Sequence, residues 1–334
     1  MAGGQSAKGV TLRQDLRDMM DELKFEELNL QAETIAPSIQ VKQKTSDYPV
    51  MPREVRAKIP DTRRAKGGGY ARGQWEWDQD TYTTREYGYE EVVDNVSALE
   101  NEDYVDEEKI ASELAYEKLI LAREGRVAES ILDESFWAGA SNLEELGSDD
   151  SWWKPNTAKI YDPIEDAAQK IRAKSFLGKK MCTLIITDDA LERVFRTKEL
   201  MDDSKYTIFL QTMPNEAKRT WLREYLGVKD VIVVSGLYDS AGLDKSAVAS
   251  RFWSNGFAFL GILSNGGNSL KNRNAIRQLV WTRYAQDYVM ETYPQPEING
   301  MVVRAREYRG IKRNKDYGVL IKGINHDPNA TTGI

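Results

Sequence analysis

The stretch DEEKIASELAYEKLILAREGRVAESILDESFWA, from Asp106 to Ala138, constrains this chain more than any other. Read as one continuous helix, about 33 residues at 1.5 Å each give a rod of roughly 50 Å. That is about three times the average globular helix. Such a rod projects past a compact domain unless other layers, or other subunits, lie along it. Ile110, Leu114, Leu121, Ala128 and Leu132 recur at helical spacing, with Leu119, Ile120, Val127 and Ile131 widening the stripe. Asp106, Glu107 and Glu108 fill the first turn, where the helix dipole favours negative charge. Gly125 interrupts the middle at a cost of about 1 kcal/mol relative to Ala. It is a flaw in the middle of the rod.

The flanks of this rod are unlike each other. Upstream, TLRQDLRDMMDELKFEEL begins at Thr11 and places Leu12, Leu16, Met19 and Leu23 on one face, which predicts a short amphipathic helix that needs a surface to lie on. From Ser38 to about Val93 helical signals are few. SIQVKQ and GQWEWDQ alternate apolar and polar residues, while Pro49, Pro52, Pro60 and the run Gly67, Gly68, Gly69 break the middle. This predicts a long hairpin with a basic, glycine-rich tip and almost no core of its own. Downstream, Trp152, Trp153 and Pro155 mark the turn into a second domain. Asp162 caps a predicted helix that Gly178 ends, with Pro163 at its first position. MCTLIIT and VIVVSG read as strands buried on both faces, with helices starting at Asp188 or Asp189 and at Pro214 and a stop at Gly227. That alternation is an α/β layer. RFWSNGFAFLGIL reads as two strands around Asn255 and Gly256. The segments 276–293, 300–308 and 317–324 read as β-rich returns.

Composition excludes several classes. With 41% hydrophobic and 30% charged residues, the chain of 334 is globular and can bury roughly three quarters of its unfolded surface. No apolar run approaches the roughly 18 residues of a membrane span, and MAGGQSAKGV lacks the apolar centre of a signal peptide. The single cysteine, Cys182, rules out an internal disulfide and a cysteine-rich zinc site, and suits a reducing cytoplasm. The one histidine, His326, leaves no Ser/His/Asp or Cys/His set and no histidine-rich metal site. The glycine run belongs to no P-loop or dinucleotide fingerprint. Paired carboxylates such as Glu90 and Glu91, Asp149 and Asp150, or Asp188 and Asp189 read as caps or solvated charge. The residues therefore suggest no enzyme, no cofactor and no metal.

Charge is segregated rather than extreme. The net charge of -7 opposes a protein whose whole surface grips nucleic acid. Arg53, Arg56, Lys58, Arg63, Arg64, Lys66 and Arg72 make one segment basic, against only Glu54 and Asp61. Glu86, Glu90, Glu91, Asp94, Glu100, Glu102 and Asp103 make the next acidic, running on into Asp106. Such neighbours are either two solvated faces or two halves of a contact. Trp75 and Trp77 have no basic residues alternating with them, so burial against a neighbour is favoured over base stacking.

TREYGYEEVVD precedes the long helix and WWKPNTAKIYDP follows it; then come LIITDDALERV, YLGVKDVIVVSG, RFWSNGFAFLGIL, VMETYPQPEINGMVVRAREY and YGVLIKGI. In that order, over about residues 10–324, the chain resembles the HK97-fold major capsid proteins of tailed bacteriophages. The resemblance implies an α+β, HK97-like capsid fold. Residues 1–36 would be the N-terminal arm and 37–90 the extended loop, a β-hairpin. Residues 91–150 would be a peripheral domain with its spine helix at 106–138, and 151–278 an α/β axial domain. Residues 279–313 would return as β structure to the peripheral domain, and 314–334 would be a C-terminal strand and tail.

The resemblance also implies self-assembly into hexamers and pentamers of an icosahedral head around double-stranded DNA, built in the host cytoplasm and resident in the virion. A scaffolding protein, a portal and decoration proteins are the partners it implies, with no membrane. In the family the extended loop lies over the peripheral domain of an adjacent subunit. The basic loop residues, with Trp75 and Trp77, are thus expected to meet the acidic segment of a neighbour. Some members add a Lys–Asn cross-link, for which no motif is readable here. The roughly 36 residues ahead of the loop suggest a separate scaffold or none. The alternatives are an encapsulin-like shell around protein cargo and an α/β enzyme working as a small oligomer.

Overall fold

Two sheets organise the fold, and neither follows chain order. The computed structural model describes residues 11–13, 16, 30–50, 59–64, 66, 68–70, 72, 76, 78–101, 106–203, 213–242, 245–263, 273–283 and 287–325. The strands are β1 (Thr11–Leu12), β2 (Ser38–Val41), β3 (Thr45–Val50), β4 (Asp78–Thr83), β5 (Arg85–Asp94), β6 (Leu143–Glu145), β7 (Thr183–Thr187) and β8 (Asp230–Val234). They continue with β9 (Leu237–Asp239), β10 (Ala249–Arg251), β11 (Phe257–Gly261), β12 (Ile276–Trp281), β13 (Val289–Gln295), β14 (Gly300–Arg313) and β15 (Gly318–Lys322). The helices are α1 (Ala32–Ile35), α2 (Asn95–Asn101), α3 (Glu107–Leu132), α4 (Glu134–Ala138), α5 (Tyr161–Ser175), α6 (Asp188–Val194), α7 (Lys198–Asp203) and α8 (Asn215–Leu226).

β14 is the axis of the first sheet. Gly300–Arg306 pairs with β13 and also with β5, and Arg309 pairs with both Val280 of β12 and Arg85 of β5. A strand has two edges, so β12 and β13 must lie end to end along one and β5 along the other. β2 adds in parallel to β12, and β1 extends β13. The second sheet runs β6-β15-β11-β7-β8. Its β7 and β8 are parallel, as a helical crossover requires, and all five residues of β7 are buried.

Pairing draws the boundaries differently from hydropathy. Ser38–Val41 and Arg85–Asp94 are woven into the first sheet, so the free hairpin is β3 and β4 with the chain between them. The C-terminal strand β15 sits inside the second sheet between β6 and β11, which brings both ends of the expected axial segment's flanks into that layer. Asn255 and Gly256 do not close a hairpin: β10 pairs with β9, whereas β11 pairs with β15 and β7. Thr11 and Leu12 are strand rather than the start of a helix. Leu16 is helical and buried; the remainder of the predicted arm helix lies outside the described residues.

The long helix is shorter than its sequence suggests. α3 has 26 residues, about 39 Å. The Asp106 side chain accepts the Lys109 N–H at 3.1 Å and starts it. Asp133 ends it with ψ 92°, because its carboxylate accepts the Phe136 N–H at 3.2 Å, the Ser135 hydroxyl at 2.6 Å and the Arg313 guanidinium at 2.8 Å. A short polar side chain that can cap the next turn competes with helix continuation, and here α4 starts anew. The Ser135 hydroxyl, then Arg313, hold the Asp133 carboxyl down to about 2. A depressed carboxylate stabilises the fold above its unfolded value and loses that contribution as pH falls through its folded value. Asp133→Asn is therefore expected to lower Tm at neutral pH, and the gap to the unaltered chain should shrink from about pH 4 towards pH 2. Thermal melts across pH check this; a gap independent of pH contradicts it.

The buried stripe is also rotated. Ala111, Ala115, Leu119, Val127, Ala128 and Ile131 are buried, whereas Ile110 is 43% and Leu114 40% exposed, and Leu121 is only half-buried. Alanines let the first turns lie close on the sheet, where they join Val93, Tyr288, Met290, Val303 and Ala305 in one cluster. Periodicity alone weighted the larger leucines. The helix runs unbroken through Gly125, whose missing Cβ would sit 3.5 Å from the Phe252 ring, an ordinary contact. Gly125→Ala is thus expected to stabilise the subunit by about 0.5–1 kcal/mol, read as a higher denaturation midpoint. A lower midpoint would show that Phe252 needs the gap.

Caps come from unexpected places. The Glu199 carboxylate accepts the N–H groups of Ile160 (2.6 Å) and Tyr161 (3.0 Å), so α5 is capped across space rather than by Asp162. It ends at Phe176 in the left-handed region (φ 57°), two residues before Gly178. Gly227, at φ 64°, stops α8 as its sequence suggests.

Candidate assembly surface

Burying a charge is costly unless it is paired, and the sheet under α3 buries several. Glu307 is 0% exposed and meets Arg123 and Arg126 of α3, the latter at 2.6 Å. Arg309 reaches Glu33 at 2.7 Å, Gln278 at 2.9 Å and Asp287, while Arg123 also reaches Glu33 at 3.0 Å. Three guanidinium groups and three carboxylates thus tie helix, sheet and α1 into one knot. Between the two helix arginines, the buried Glu124 carboxylate accepts the N–H groups of Gln31 (3.0 Å) and Ala32 (2.7 Å) and the Trp253 indole N–H (2.7 Å). Burial pushes its pKa up against those three hydrogen bonds. Gln278 donates to the Ala36 carbonyl at 2.8 Å. The root from which the hairpin departs is therefore fixed to the body.

Among the described residues, the outer part of the hairpin has no such ties. Past its base, Asp78 and Gln79 are exposed, as are Arg63, Arg64, Lys66 and Arg72 of the tip. Ile59 is 96% and Tyr70 74% exposed. Arg64 donates to the Gly68 carbonyl at 2.6 Å and lies 4.7 Å over the Tyr70 ring, so the tip's described contacts are with itself. Arg53, Arg56, Lys58, Trp75 and Trp77 lie outside the described residues.

The acidic segment divides in two. Glu86 and Glu90 are engaged within the chain: Glu86 pairs with Arg306 at 3.1 Å and Glu90 with Arg304. Glu291 joins both arginines, giving a ladder of alternating sign across β5, β14 and β13. The clue in the sequence was VVRAREYRG, whose arginines recur at strand spacing opposite a glutamate-rich strand. Glu91 is half-buried, and Asp94 and Glu100 are exposed, beside exposed Val92, Val96 and Leu99. An open cleft of about 410 Å³ adjoins them, lined by Val93, Asn95, Ala98, Asp106, Glu107, Glu108 and Met301. Glu102 and Asp103 lie outside the described residues. The structure thus brings apolar and acidic groups together at the start of α3.

Among the described residues no cluster of His, Cys, Asp or Glu could hold a metal ion. Cys182 is buried, which pushes its thiol up to about 12 and leaves it unreactive at neutral pH. No helix among the described residues is long and apolar enough to cross a membrane.

No family profile and no curated protein matches this sequence. Solved structures do. A phage-related protein from Bordetella bronchiseptica superposes with a TM-score of 0.68 at 16% identity, over 96% of this chain and 100% of that one. The capsid of cyanophage P-SCSP1u gives 0.52 at 10% identity, over 96% and 90% of the two chains. The mature capsid of bacteriophage PhiM1 gives 0.51 at 12% identity, over 87% and 86%. The chain has the HK97-like capsid fold. Because the cyanophage capsid matches over 96% of the chain, the fold takes in both sheets and the helix between them.

Proposed function

We propose that this chain is a major capsid protein that self-assembles into hexamers and pentamers of an icosahedral phage head enclosing double-stranded DNA. The observation that carries the reading is a hairpin with a fixed root and an exposed basic tip on an HK97-like body. A two-stranded ribbon with no core is marginal in isolation, and it gains order by lying on a neighbour. The tip offers Arg63, Arg64, Lys66 and Arg72 with Ile59 and Tyr70. The surface of Val92, Val96 and Leu99, with Glu91, Asp94 and Glu100, offers the complement in sign and in apolar area. Arg53, Arg56, Lys58, Trp75 and Trp77 extend the first surface in this reading, and Glu102 and Asp103 the second. Glu86 and Glu90 act instead as braces within the subunit. Contacts of moderate strength suffice, because a closed shell multiplies them.

In this reading the shell resides in the virion, is built in the host cytoplasm, and works with a scaffolding protein, a portal and decoration proteins. Its work is structural rather than catalytic. Expression of the full chain followed by sizing and negative-stain microscopy tests it. Closed particles tens of nanometres wide are expected; a small discrete oligomer under all assembly conditions would contradict it. Protein cargo in place of nucleic acid inside purified particles would favour a nanocompartment.

A further inference from the structure

The faces of the hairpin are set by its register. Ser46 pairs with Tyr82, Tyr48 with Asp80 and Val50 with Asp78, so Tyr82, Asp80 and Asp78 share one side of the ribbon. On that side Tyr82 is 8% exposed and packs with Ile39, Val41 and Leu279 of the body. One pair further out, the Tyr48 hydroxyl donates to Asp80 at 2.9 Å. Lys312 of β14 donates to the same carboxylate at 2.6 Å and to the Thr81 carbonyl at 3.0 Å, with its ammonium 5.9 Å from the Tyr48 ring centre. At the third pair Asp78 is exposed. The Tyr48, Asp80 and Lys312 group is thus the outermost described contact between the stem and the body.

The inner end has the features of a pivot. Thr84 is fully buried, and its N–H (2.9 Å) and hydroxyl (3.0 Å) both donate to the Lys44 carbonyl, cross-tying the two chain crossings. Gly310 lies so close beneath that a Cβ there would collide with the Thr83 carbonyl oxygen. Outward of this tie, the stem meets the body through Tyr82, with Tyr48 packed beside it, and through the Lys312 group.

We propose that Lys312 is a strut that sets the pitch of the hairpin, by holding Asp80 and Tyr48 of the stem at a fixed height over β14. With the strut engaged the tip is presented at one angle; with it released the stem tilts about the Lys44 and Thr84 tie. Its use in building a shell rests on the reading above, but the strut itself is a property of the single subunit.

The experiment is done on the full-length, unassembled chain. Gln79→Cys on the outer face of the stem and Glu129→Cys on the exposed side of α3 carry spin labels, and buried Cys182 stays unlabelled. Lys312→Met is compared with Lys315→Met, which removes a cation lying over Phe136 and away from the stem. The strut predicts a broader label distance distribution in Lys312→Met. It also predicts roughly fivefold faster amide exchange in β3 and β4, the ratio that corresponds to about 1 kcal/mol for a partly exposed ion pair. Lys315→Met should change neither readout. Unaltered distances and exchange in Lys312→Met, or equal changes in both variants, would overturn the proposal. Neither result bears on whether shells form, so the two readings fail separately.

Discussion

Arg123→Met is expected to destabilise the subunit by about 3 kcal/mol or more, although methionine fills much of the same space. Glu307 has no exposure and meets Arg123 and Arg126, with Arg309 beside it. Removing Arg123 takes one of three guanidinium groups from Glu307 and one of two from Glu33, and breaking a buried ion pair typically costs about 3–5 kcal/mol. At about 2–4 °C per kcal/mol for a chain of this size, Tm should fall by roughly 6–12 °C. Lys154→Met is the control. Its side chain is 43% exposed and its partner Asp149 86%, so the loss should stay below about 1 kcal/mol. Equal effects would mean that the knot under α3 is no more important than a surface pair. Since Arg123 also holds Glu33, the variant should raise amide exchange around residues 31–36.

Reversal of Arg63, Arg64 and Lys66 to Glu together is expected to abolish closed shells while leaving the subunit folded. All three side chains are exposed, and the described bonds of Arg63 and Arg64 are confined to the loop. Surface changes of this kind alter stability by about 0.5 kcal/mol or less. At the proposed contact the same change would set like charges against Asp94, Glu100 and the first turn of α3 at every repeat. Circular dichroism and melting should therefore match the unaltered chain while sedimentation shows no particles. Shells at normal yield would remove these charges from the contact.

The parts legible in the sequence were those whose physics is local. LIIT and VIVV announced buried strands and Gly227 a helix stop, whereas Pro49, expected in a loop, lies within β3 and pairs with Gln79. What was not legible depended on partners far along the chain. Nothing near Asp133 reveals Arg313, so the helix looked continuous to Ala138. Nothing near Tyr161 reveals the Glu199 cap. The alanine face of α3 was hidden because periodicity rewards bulky residues, whereas the sheet beneath accepts small ones. Charge segregation was visible, but its meaning was mixed: Glu86 and Glu90 face arginines of their own β14, while Asp94 and Glu100 stay exposed. Gly125, a flaw by helix propensity, lies in unbroken helix against Phe252.

A cryo-EM reconstruction of the purified assembly reads the hairpin's contact outright. A closed shell is expected, in which the β3 and β4 hairpin of each subunit crosses to a neighbour and sets its basic tip beside that neighbour's Val92, Asp94 and Leu99. A small open oligomer, or a shell in which every hairpin folds back on its own subunit, would contradict it.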